Sequence, residues 1–163
     1  CSNRACSSRA GSSRAKPRQC NPGDDRLRRL RQAQHPHRAC GLRRAHPEGK
    51  IIGVVGDSTF VHSGITGLIN AVYNKAKGIV FILDNSTTAM TGGQNHPGTG
   101  KTIRNEATKA LDLPAICRAC GVDNVDVMDP TGNLKEFEEL VKRRLDENAL
   151  SVIIAKHPCK LIK

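Results

Sequence analysis

Tryptophan is absent, and one tyrosine and three phenylalanines are the only aromatic residues in 163. A module that reads single-stranded RNA stacks bases on aromatic side chains, so such a reader is not expected. Long apolar runs are also missing. None approaches the roughly 18 to 20 residues that a membrane helix needs. No short basic segment followed by an apolar stretch stands at the front, so neither a membrane span nor a conventional secretory signal is expected. The chain begins at Cys1 rather than Met, which suggests an incomplete or processed start. The length suits one domain, or one domain and a tail.

Charge is plentiful but uneven. Residues 1–50 hold 13 Lys+Arg against 3 Asp+Glu, whereas residues 51–163 hold 13 against 12. The basic head is poor in core material as well. Residues 1–49 contain no Val, Ile, Met, Phe, Tyr or Trp, and Leu27, Leu30 and Leu42 are their only large aliphatics. Such a segment cannot bury enough apolar surface to offset the entropy of ordering it, so it is expected to be disordered or poorly folded. Its Arg, Ser, Ala, Cys, His and Pro bias is that of GC-rich DNA read out of frame. A basic arm can bind phosphates by counterion release, but nucleic acid is not the expected partner.

The seven cysteines form no framework. Cys1, Cys6, Cys20 and Cys40 are irregularly spaced. Cys117 and Cys120 make a C-x-x-C, but no second pair accompanies them, and a structural zinc site needs two more ligands. A redox C-x-x-C belongs at the first strand-to-helix turn of a thioredoxin-like unit, not here. Unpaired cysteines of this kind suit a reducing, cytoplasmic setting.

From Lys50 the texture changes. KIIGVVGD, GIVFILDN, NVDVMD and SVIIAK read as buried strands. Ile65, Leu68, Ile69 and Val72 recur at helical spacing, PAICRACGV reads as a short helix, and Leu134, Phe137, Leu140, Val141 and Leu145 mark an amphipathic helix. The order predicts an α/β fold with three α/β/α layers and a mostly parallel sheet over residues 50–163. Ligands of such sheets bind at the carboxyl ends of the strands. Two strands end there in Gly56-Asp57-Ser58 and in Asp84-Asn85, and the second runs into a long Gly- and Thr-rich loop. Long loops of this kind tend to be functional.

One reading of that edge is a site for a divalent cation and a diphosphate. Asp57 and Asn85 offer side-chain oxygens and Thr87 a carbonyl, the hard donors magnesium takes alongside substrate phosphates. The Gly56–Thr59 turn offers backbone amides to phosphate at the start of a helix. Helix capping and turn formation explain the same residue types, and spacing alone slightly favours that ordinary role. A second reading is a nucleotide triphosphate loop at Gly100-Lys101-Thr102. There the first glycine of the motif is replaced by Asn95, and no strand directly precedes it.

GDSTFVHSGITGLINAVYN and ILDNSTTAMTGGQNHPGTG resemble the alpha subunit of indolepyruvate ferredoxin oxidoreductase. More broadly they resemble the thiamine-diphosphate-binding domain of 2-oxoacid:ferredoxin oxidoreductases. The diphosphate motif of thiamine enzymes starts Gly-Asp-Gly and closes on Asn about thirty residues later; here it is Gly56-Asp57-Ser58 through Asp84-Asn85. The resemblance implies magnesium held by Asp57, Asn85 and the Thr87 carbonyl. It places Gly56, Ser58 and Thr59 at the diphosphate, and His62 and the segment Met90 to Gln94, with Thr91 and Gly92, near the thiazolium and substrate. It implies oxidative decarboxylation of an aryl pyruvate, with the acyl group passed to coenzyme A. Electrons would leave through iron–sulfur clusters, not on this chain, to ferredoxin. The pyrimidine-binding domain and the beta subunit would be partners, so the chain alone is expected to be an inactive partial product. A non-oxidative decarboxylase subunit for sulfopyruvate or phosphonopyruvate is the alternative, although the TAMTGGQ loop is not expected in one.

Overall fold

The computed structural model describes residues 30–33, 49–88 and 92–159. Its centre is a five-stranded, wholly parallel sheet. The strands are β1 (Leu30–Ala33), β2 (Lys50–Gly56), β3 (Gly78–Asp84), β4 (Asn124–Met128) and β5 (Leu150–Lys156), ordered β1-β2-β3-β5-β4. Four of these are the predicted strands. The fifth, β1, lies inside the basic head, where no order was expected; its LRQA pairs in register with Lys50–Gly53. The rest of the head, residues 1–29 and 34–48, lies outside the described residues.

Helical structure follows β2 without a break. It comprises α1 (Asp57–Thr59), a π-helical stretch (Phe60–Gly64) and α2 (Ile65–Tyr73). Then come α3 (Leu113–Ala119) and α4 (Leu134–Asp146). Both later helices start on side-chain caps. Asp112 accepts from Ala115 N at 2.9 Å, and Asn133 accepts from Glu136 N at 3.3 Å, each satisfying an orphan donor of the first turn.

Alternation along the strands sorts the core into two layers. Val80, Ile82, Val152 and Ile154 pack with Phe60, Leu68, Leu113 and Cys117 under α2 and α3. Ile79 and Ile153 face the other way and pack with Leu140, Phe137, Val141 and Leu145 of α4. These layers make the α/β/α sandwich. Two helix positions depart from the predicted faces. Ile69 is 50% exposed and Leu134 68% exposed, because the core stripe of each helix is narrower than its apolar pattern.

Between β3 and α3 the chain runs from Asn85 to Asp112 with only two isolated bridges, Thr88↔Gln94 and Lys101↔Ala107. This is the predicted long loop. It leaves the carboxyl end of the sheet, beside the end of β2.

Candidate functional site

The site begins where β2 and β3, neighbours in the sheet, end side by side. Gly56 pairs with Leu83, so Asp57 and Asp84–Asn85 leave the sheet together. Asp57 is buried. Its Oδ1 accepts from Ser58 N at 2.7 Å. Its Oδ2 accepts from Asn85 N at 3.2 Å and Ser86 N at 3.1 Å. Ser86 adopts the left-handed conformation (φ 58°), which non-glycine residues seldom take, and its amide is shared with Asp84 Oδ1 at 3.0 Å. Burial pushes the Asp57 carboxyl above its ordinary value, with Asp84 adding repulsion; the Ser58 and Ser86 amides and His96 act against it.

Asn85 points its Oδ1 at Thr87 N, 3.2 Å away, in a local turn that buries Thr87. Ser58 Oγ accepts from Thr88 Oγ1 at 3.1 Å, tying the start of α1 to the loop. The extension of β5 braces the same corner from the other side, where His157 N donates to Asp84 O and Cys159 N to Asn85 O. Gly56 stands at the rim, and a Cβ there would meet nothing within 4 Å.

Of the residues singled out in the sequence, the fold therefore joins Gly56, Asp57, Ser58, Asn85 and Thr87. Thr59 is exposed on α1. Gly92 lies in the loop at φ 109°, beyond the reach of a β-carbon-bearing residue without strain. His62 lies exposed on the π-helical stretch. Met90 and Thr91 fall outside the described residues.

The oxygens present fit a hard divalent cation. A carboxylate offers about four lone-pair sites, and Asp57 Oδ1 uses one for Ser58. The Asn85 amide oxygen likewise keeps a site after bonding Thr87. No group of three or more His, Cys, Asp or Glu among the described residues could hold a metal. A cation here would rest on one carboxylate, an amide, a carbonyl and ligand phosphates, which is the magnesium pattern.

Sequence reasoning missed His96. It is buried, and its Nε2 lies 3.4 Å from Asp57 Oδ2. Its position in the Asn-His-Pro-Gly run was visible, but nothing local announces that the loop folds it back onto β2.

Two other motifs find structural explanations. Gly100-Lys101-Thr102 lies mid-loop, after β3 ends at Asp84 and long before α3 starts at Leu113. It lacks the strand before and the helix after that a nucleotide loop requires, so that reading is withdrawn. Cys117 is fully buried under α3, and burial pushes its thiol up to about 12; Cys120 is raised too. Such thiols pack rather than react.

Residues 36–155 match the family described as thiamine pyrophosphate enzyme, C-terminal TPP binding domain. The chain belongs to this family. It is 49% identical over 113 residues to the indolepyruvate oxidoreductase subunit IorA of Archaeoglobus fulgidus, covering 69% of this chain and 18% of the relative. It is 43% identical over 123 residues to IorA of Methanothermobacter marburgensis, covering 76% and 20%. The chain thus spans about a fifth of the length of the IorA subunits it matches. Sulfopyruvate decarboxylase subunit beta of Methanocaldococcus jannaschii is 34% identical over 111 residues, covering 67% and 51%. Among solved structures, the 2-oxoglutarate:ferredoxin oxidoreductase of Magnetococcus marinus superposes with a TM-score of 0.67 at 15% identity, covering 78% of this chain and 46% of that one. At that identity it shows the shared fold.

Proposed function

We propose that this chain is the thiamine diphosphate- and magnesium-binding part of an indolepyruvate:ferredoxin oxidoreductase. The reading is carried by one juxtaposition. Asp57, from the opening of the two-part motif, and Asn85, its closing residue, meet at adjacent strand ends with oxygen lone pairs to spare. The identity to IorA subunits favours this parent enzyme over other thiamine enzymes.

Asp57, Asn85 and the Thr87 carbonyl would hold the cation, and the Gly56–Thr59 amides would face the diphosphate. The Gly56 N-cap brings no side-chain cap of its own, and of the first-turn amides that of Ser58 is already taken by Asp57 Oδ1. When bound, the cofactor supplies the electron sink for loss of carbon dioxide. The chain's own residues hold and orient it, while His62 and Met90–Gly92 would line the approach of the substrate. The substrate would be an aryl pyruvate, with coenzyme A and ferredoxin as acceptors of the acyl group and electrons. The pyrimidine-binding domain and the beta subunit would complete the site. The 163 residues alone are therefore expected not to turn over indolepyruvate.

The sulfopyruvate decarboxylase relative supports a second, non-oxidative reading. Product analysis of the assembled enzyme separates the two. Acyl-coenzyme A with reduced ferredoxin is the expected result; free aldehyde with no reduced ferredoxin would favour the decarboxylase.

A further inference from the structure

We propose that His96 is a positioning residue of the cation site. Its Nε2–H anchors the Asp57 carboxylate by Oδ2 and so leaves Oδ1 turned toward the cation. The inference rests on the diphosphate-site reading above and adds a residue that the two-part motif does not contain.

The imidazole is a built feature of the loop. Its side chain is only 2% exposed. Gly98 N donates to Nδ1 at 3.2 Å, so Nδ1 is an acceptor and the ring proton sits on Nε2. Among the described residues that buried Nε2 has no conventional hydrogen-bond acceptor, and the group it approaches is Asp57 Oδ2, 3.4 Å away. A buried donor without an acceptor is rarely left so.

The turn holding the ring has the same logic. Thr99 donates to His96 O through both its amide, at 2.9 Å, and its hydroxyl, at 2.8 Å, closing a turn with Pro97 at its second position. Gly98 is needed there for room. A Cβ would stand 3.0 Å from His96 Cε1 and 3.3 Å from Nδ1.

The donors around Asp57 are then unequal. Asn85 N, Ser86 N and His96 Nε2 converge on Oδ2, while Oδ1 takes Ser58 N alone. Oδ1 is the oxygen with capacity for a cation. Partners that orient a ligand in this way commonly change metal affinity by about 10- to 100-fold when removed.

The test uses the full chain. Nitrogen-15 histidine spectra should show His96 as the Nε2–H tautomer, with a ring proton that exchanges slowly. Manganese binding in the presence of thiamine diphosphate, followed by electron paramagnetic resonance, should weaken by about tenfold or more in His96→Leu. His96→Gln, which keeps an N–H near the same place, should stay close to the parent. If His96→Leu does not fold, Gly98→Ala displaces the ring and should show the same loss. An Nδ1–H tautomer would overturn the proposal, as would His96→Leu binding like the parent, or Gln binding as weakly as Leu. A parent chain that binds no manganese would count against the diphosphate site itself, while the tautomer and its exchange rate would still decide the role of His96.

Discussion

Asp57 shows how one residue can be both costly and useful. A buried carboxylate is unfavourable unless donors surround it, and here three backbone amides donate to it, with the His96 ring 3.4 Å from Oδ2. The residual upward pressure from burial is what a cation would relieve. Cys117 makes a contrasting residue-scale case. Its thiol, held at about 12 in a fully buried position, should resist maleimide in the native chain and react only on unfolding. Labelling followed by peptide mapping checks this, and modification of Cys117 at the rate of an exposed thiol would contradict it. The motif residues were legible because strand ends and the two-part pattern are local. His96 was not, because its partner lies across a loop and its burial is a tertiary fact.

Among the elements, the entry to β3 leaves no room for a side chain. Gly78 has φ 128°, and a Cβ there would stand 2.3 Å from Ile51 O in β2. Gly78→Ala should therefore destabilise the chain by about 2–5 kcal/mol, combining backbone strain with overpacking. Chemical denaturation measures it, and a change within about 0.5 kcal/mol, the scale of a neutral surface substitution, would contradict it.

The ends of β4 and β5 are tied by a different device. Asp129 accepts from the Thr131 amide and hydroxyl, and His157 Nδ1 lies 3.2 Å from its Oδ2. The hydrogen bonds from Thr131, then that from His157, hold the Asp129 carboxyl down at about 2. A depressed carboxylate stabilises the fold above its ordinary pKa and loses that contribution as pH falls. The stability gap between the parent and Asp129→Asn should close as pH falls from about 4 to about 2. Thermal midpoints across that range test it; a gap independent of pH would refute it.

Elements followed the same rule of legibility. Strands β2 to β5 showed as β-branched runs, and α4 by its period. Leu30–Ala33 did not, because LRQA has no strand signature and is extended by pairing with β2. The π-helical stretch after Asp57 also left no mark in the pattern, since its buried residues, Phe60 and Gly64, are four apart, as on an ordinary helix.

At the scale of the molecule, the parallel sheet gathers chemistry on one edge and stability elsewhere. Both faces are covered, by α2 and α3 on one side and α4 on the other. The neighbouring ends of β2 and β3 are left to present Asp57 and Asn85 beside a long loop. No described helix is long and apolar enough to cross a membrane. The net charge of +11 belongs almost entirely to the head, so on the proposed reading a diphosphate at this edge would be held by the cation and backbone amides rather than by bulk charge. The most direct test is a calorimetric titration of the chain with magnesium thiamine diphosphate, alongside magnesium-free and Asp57→Ala controls. The expected result is a binding heat that disappears in both controls. Binding that survives Asp57→Ala, or heat from magnesium ATP in its place, would contradict it.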